Sequence, residues 1–108
     1  GNDDNPDVML ETLREWAKDT HKGNRWIVAG ALGNVWAKNR TKEAIQILEM
    51  LATDDDKTVR GAVALALRDL AKYDPEAVSA VAERWAKDDR LARVGLLVKK
   101  KINGIRNT

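Results

Sequence analysis

The chain reads as an all-α protein, a superhelical stack of about three two-helix repeats with six helices in all. Three observations predict this. First, Trp-Ala-Lys-Asp/Asn occurs three times, at Trp16–Asp19, Trp36–Asn39 and Trp85–Asp88. Two relatives, Leu51-Ala52-Thr53-Asp54 and Leu70-Ala71-Lys72, lie between the last two. The lead positions 16, 36, 51, 70 and 85 are spaced 20, 15, 19 and 15 apart. Long and short steps alternate, and each pair spans 35 or 34 residues, the mark of a repeat built from two helices. Second, Asn5-Pro6-Asp7 and Asp74-Pro75-Glu76 place the same helix-opening device 69 residues apart, two repeat lengths. Third, apolar residues recur at helical spacing, and nowhere do they alternate as in a strand.

The elements follow in order. A first helix is expected over 6–19, with Asn5 as cap, Pro6 in the first helical position and Asp7 at the positive end of the dipole. Gly23-Asn24 separates it from a second helix over 24–39. Thr41 caps a third over 42–53. Asp54-Asp55-Asp56 opens a fourth over 56–73, where Val59, Val63, Leu67 and Leu70 form a stripe. The fifth, 75–88, carries Val78, Val81, Ala82 and Trp85, and Asp88-Asp89 opens the sixth over 90–105. Residues 1–5 read as a disordered or tag-derived start, with Gly1 as a cloning remnant, and 106–108 as a tail. A single helical pair cannot bury its apolar face alone, whereas stacked copies bury it between neighbours. Glycines inside helices, Gly30, Gly33 and Gly61, cost ~1 kcal/mol each against alanine. Close approach of helices is the expected compensation.

Composition narrows the class. A length of 108 residues suits one domain, or a slice of something longer. Hydrophobic residues at 44% suffice for a core, and 33% charged residues suit a soluble surface. The absence of cysteine excludes disulfides and thiol chemistry. No apolar run approaches the ~18 residues of a membrane span, and no signal peptide is visible, so the expected compartment is cytoplasmic. The net charge of +2 hides an asymmetry: residues 90–108 carry +6 with no acid, and residues 1–89 carry −4.

Asp56-Lys57-Thr58-Val59-Arg60, followed by Val63, Leu67 and Leu70, resembles the signature of HEAT repeats: an Asp, then Val-Arg opening a first helix, then an apolar stripe. Asp89-Arg90-Leu91-Ala92-Arg93 is a weaker copy, and Asn24-Arg25-Trp26-Ile27 a divergent third. Tetratricopeptide repeats share the period, but their Trp, Gly, Tyr and Pro positions do not fall in one register here. The resemblance implies an armadillo-type helical solenoid. It makes 24–39, 56–73 and 90–105 first helices, and 6–19, 42–53 and 75–88 second helices that line a concave side. Asn24–Ile27 also looks like a stretch of HEAT-like DNA alkylation repair glycosylases. Those have arginines just after the Trp, where Val28, Ala29 and Gly30 stand here, so no catalytic residue is carried over.

Trp16, Trp36 and Trp85 share a register with Leu51 and Leu70, which marks all three as core. Trp26 stands outside that register and is the tryptophan expected to meet a partner. The three consecutive aspartates point in different directions, which suits capping rather than a metal. His21, the only histidine, is expected to be a solvated loop residue and makes no zinc site or triad by itself. No Gly-rich phosphate loop follows a strand. Neither enzyme activity, nor a cofactor, metal, membrane or small-molecule substrate is therefore expected. On the second helices charges are mixed, and Asp7 with Lys42, or Arg14 with Glu49, are expected to pair across repeats. Arg25, Arg60 and Arg93 are expected to form a ladder with neighbouring aspartates. Candidate partner-binding residues are Trp26, Arg90, Arg93, Lys99, Lys100 and Lys101. The expected function is a non-enzymatic scaffold segment that binds a protein or peptide, probed against the alternative of a module that binds the DNA backbone through the basic last helix.

Overall fold

A computed structural model describes residues 5–106. Its helices are α1 (Pro6–Trp16), α2 (Lys22–Leu32), α3 (Thr41–Leu51), α4 (Lys57–Leu70), α5 (Pro75–Ala86) and α6 (Ala92–Arg106), with one 3-10 turn, Val35–Ala37, after α2. They form two layers. α4 packs between α2 and α6 in one, and α3 between α1 and α5 in the other. Sequential helices pack across the layers, giving a stack of 39 × 28 × 21 Å. The expected solenoid of helical pairs is the fold observed. Of the expected start at 1–5 and tail at 106–108, only Asn5 and Arg106 are among the described residues.

Side-chain caps set most of the helix starts. Asn5 Oδ1 accepts from the Asp7 amide at 2.9 Å, and Asp74 Oδ1 from the Ala77 amide at 3.1 Å. Asp56 accepts from the amides of Thr58 and Val59. Two starts differ from expectation. His21, expected as a solvated loop residue, caps α2, which starts at Lys22 rather than 24: its Nδ1 accepts from the Gly23 amide at 3.1 Å. Thr41 is no cap but the buried first residue of α3, and its hydroxyl donates to the Lys38 carbonyl at 3.2 Å.

The largest difference lies at the end of α2, which stops at Leu32 instead of 39. Gly33 breaks it. A Cβ there would sit 2.9 Å from Ala66 Cα, so α2 and α4 cross where only glycine fits. The chain then turns through Val35–Ala37, and the Trp36 indole Nε1 donates at 2.9 Å to the Ala31 carbonyl, which also accepts from the Asn34 amide at 3.2 Å. A second close crossing occurs at Gly95, where an added Cβ would lie 2.6 Å from the Ala86 nitrogen. Gly30 and Gly61 behave differently from expectation: nothing lies within 4 Å of a Cβ at either, so helix packing does not explain them.

One continuous core runs through the stack. Trp85 is fully buried within it, and its indole donates to Glu49 Oε1 of the preceding repeat at 2.8 Å. The other two tryptophans of the shared register do not follow. Trp36 is half-buried, and Trp16 is 47% exposed. The cause is how closely each helix is packed. Both α1 and α5 end their layer, but α5 is packed closely by α6 as well as by α3 and α4, whereas α1 rests more lightly on α2 and α3 among the described residues.

Candidate functional site

The layer of α1, α3 and α5 carries a groove between α3 and α5. Its first compartment, about 390 Å³, is lined by Ile45, Val81, Ala77 and Ala80, with Lys42, Gln46 and Arg84 at the sides. The spacing explains the opening. Ala77 and Ala80 stand one repeat beyond Lys42 and Ile45, and their small side chains leave the core residues Ile45 and Val81 reachable. A second compartment of about 240 Å³ shares Gln46 and continues past Glu49, Met50 and Thr53 to Arg90 and Leu91. Met50 is exposed there, a flexible apolar side chain on an otherwise polar wall.

Charge pairs edge this layer, but not those the sequence suggested. Asp7 pairs with Arg40 at 2.7 Å rather than with Lys42. Glu49 is taken by Arg84 at 2.9 Å and by the Trp85 indole, so it is not left for Arg14. Exposed pairs of this kind are worth under ~1 kcal/mol each. They tie successive repeats without producing a single-sign surface.

The other layer ends in turns that carry aspartates and arginines. Arg25 Nε donates to Asp54 Oδ2 at 2.6 Å and its Nη2 to Oδ1 at 3.2 Å, a two-pronged pair with both side chains largely buried. Burial pushes the Asp54 carboxyl up, but Arg25 and the Asp56 amide together hold it below its ordinary value. Asp56 is held at about 2 by the Thr58 hydroxyl and then by the α4 amides. The three aspartates therefore go separate ways: one to Arg25, one to the helix, and Asp55 to solvent. Among the described residues, no group of three or more His, Cys, Asp or Glu is placed to hold a metal, and no helix is long and apolar enough to cross a membrane.

The predicted site residues fall in three places. Trp26 lies on α2, 53% exposed beside the exposed Ile27. Arg90 and Arg93 come together at the turn before α6, both exposed, and share a cleft with Arg60. The three lysines do not act as one. Lys99 Nζ pairs with Glu83 of α5 at 2.9 Å and holds that carboxyl below its ordinary value, while Lys100 faces solvent and Lys101 is half-buried. Consecutive helical residues point about 100° apart. α4 lies between α2 and α6, so Trp26 and the lysines belong to separate surfaces. The expected ladder has one complete rung, Arg25–Asp54; Arg60 and Arg93 make no ion pair among the described residues. Sequence reasoning missed the α3–α5 groove. The signal was present in Ala77 and Ala80, small residues one repeat beyond Lys42 and Ile45.

Across this two-layer stack, residues 10–96 match the family model of HEAT repeats. The chain belongs to the HEAT-repeat family. HEAT repeats generally serve as protein-interaction scaffolds. The search of curated proteins and the search of solved structures each return no match.

Proposed function

We propose that this HEAT-repeat chain is a non-enzymatic scaffold segment that binds a stretch of a protein partner in the groove between α3 and α5. One observation carries the reading: the apolar floor of Ile45, Ala77, Ala80 and Val81 between the rims set by Lys42 and Arg84. Apolar depressions with a few polar groups at the edge are where partner side chains anchor and where binding energy concentrates. Mixed charge on this layer suits a protein more than a phosphate backbone, which requires a continuous run of cations. The engagement of Lys99 with Glu83 further thins the basic end.

The test uses peptides selected by display against the full chain. Ala80 is exposed, so Ala80→Arg fills the groove without disturbing the core. Selected peptides are expected to bind Ala80→Arg at least about tenfold more weakly, a loss of ~1.4 kcal/mol. Equal binding to both proteins overturns the reading. So does micromolar binding of duplex DNA that falls steeply with salt and vanishes when Lys99, Lys100 and Lys101 are changed to alanine.

A further inference from the structure

Arg25 and Arg60 stand 35 residues apart in equivalent places and begin their interactions identically. Arg25 Nη1 donates to the carbonyls of Asp19 and Thr20, each at 2.9 Å. Arg60 Nη1 donates to the carbonyls of Asp54 and Asp55, at 2.6 and 3.0 Å. They then diverge. The remaining prongs of Arg25 grip the Asp54 carboxylate, whereas those of Arg60 meet no carboxylate among the described residues.

The residue that matches Asp54 in the next turn is Asp88. Asp54 Oδ1 accepts from the Asp56 amide, and Asp88 Oδ1 accepts from the Arg90 amide, both at 2.9 Å. The second oxygen of Asp88 is turned to Arg90 itself, at 3.6 Å. Position 90 explains the diversion. Its counterparts His21 and Asp56 accept from helix amides, which an arginine cannot do. Arg90 instead pairs with the Asp88 carboxylate, and no carboxylate reaches Arg60 among the described residues. A cleft of about 350 Å³ opens at this place, lined by Arg60, Arg90 and Arg93 together with Asp54, Asp55 and Asp89.

We propose that this cleft takes an Asp or Glu carboxylate of a bound protein segment, in the place that Asp54 fills at the preceding turn. The inference rests on the reading of the α3–α5 groove as the partner-binding face, because the groove runs into the cleft through Thr53 and Arg90, which line both. A guanidinium presents a planar fork that matches a carboxylate with two parallel hydrogen bonds. Asp54, Asp55 and Asp89 offset the cationic charge of the three arginines. The cleft therefore selects by fork geometry rather than by net potential, and disfavours a dianionic phosphate. The partner segment thus carries apolar side chains for the groove and an acidic residue where it passes Thr53.

Acetate is the probe, with the arginine side-chain Nε–Hε signals of the full chain followed by NMR. At matched ionic strength, acetate is expected to move the Arg60 and Arg93 signals saturably where chloride does not, and to leave Arg25 unmoved. Arg93 is exposed and makes no ion pair among the described residues, so Arg93→Gln leaves the fold intact; it is expected to weaken the acetate response about tenfold. Equal responses to acetate and chloride overturn the proposal. A response to phosphate at lower concentration than to acetate overturns it in favour of a phosphate site. A shift of Arg60 on Asp89→Asn alone also overturns it, because Asp89 would then complete the rung from within. Acetate reaches the cleft without occupying the groove, so this result and the Ala80→Arg result can fail independently.

Discussion

The two junctions of the stack are built from the same repeat and share one continuous apolar core, but they differ at the turn. At the first, where α2 meets α4, a partly buried ion pair joins Arg25 to Asp54 at the turn. At the second, where α4 meets α6, the matching Arg60 has no such partner among the described residues. Beside it, where α5 meets α6, Trp85 enters the core with its indole tied to Glu49, and Gly95 lets α6 lie directly on the end of α5. Apolar burial is non-directional and scales with area, so it can replace a specific pair without preserving its geometry. A junction secured in the core frees the turn above it for other work, and there the Arg60 cleft opens. Identity of repeat position thus does not imply identity of role.

The sharpest way to separate the junctions is to remove Trp85. Trp85→Ala is expected to cost about 3–5 kcal/mol in urea unfolding, the range for a buried aromatic. Trp16→Ala, in the same sequence register but 47% exposed, should stay within about 1 kcal/mol. Comparable losses would return Trp16 to the core and break the contrast.

Glycines give the next largest effect. Gly95→Ala drives a Cβ into the backbone of Trp85 and Ala86 and is expected to cost about 1–3 kcal/mol. Gly33→Ala at the first junction meets Ala66 at 2.9 Å and should cost less than Gly95→Ala. Gly61→Ala, facing open space, should instead stabilise by roughly 0.4–1 kcal/mol, since alanine restricts the unfolded chain. Thermal melts of the three variants rank them. Gly95→Ala as neutral as Gly61→Ala would mean that α6 does not lie closely on α5.

The fold was legible because repetition is a sequence property. The alternating steps of the Trp-Ala-Lys echo counted the helices, and Pro6 and Pro75 marked two of their starts. Burial was less legible, because it depends on what lies above a helix as well as on the residue. Trp16 and Trp85 read alike, yet α5 is packed closely by α6 and α1 has no equally close neighbour among the described residues. The break in α2 was signalled by Gly33-Asn34, a usual helix-stop pair, but the tryptophan register running through to Trp36 masked it. Of the candidate site, Arg90 and Arg93 were visible as charge. That Arg60 joins them, and that Asp88 turns away from it, is a matter of side-chain direction that spacing does not encode.

Acid titration gives the smallest of these effects and separates the caps. Asp56 caps α4 with its carboxyl lowered from 3.8 to about 2, chiefly by the Thr58 hydroxyl and the α4 amides, whereas the corresponding position before α6 is Arg90. The unfolded chain binds that proton more readily than the folded one. The contribution is thus fully present above pH 3.8 and fades as pH falls toward about 2. Asn caps nearly as well but does not titrate. Asp56→Asn is therefore expected to flatten the decline of the urea midpoint over that window. An unchanged slope would show that Asp56 is not the group being protonated.

The contrast between the junctions is tested most directly by two double-mutant cycles in urea unfolding, one on Arg25 and Asp54, the other on Arg60 and Asp88. An ion-pair rung at the first junction alone predicts a coupling between Arg25 and Asp54 that weakens with added salt. For Arg60 and Asp88 it predicts additivity within the ~0.3–0.5 kcal/mol expected of independent sites. Equal coupling in both cycles would contradict it, and would close the second junction with the same pair as the first.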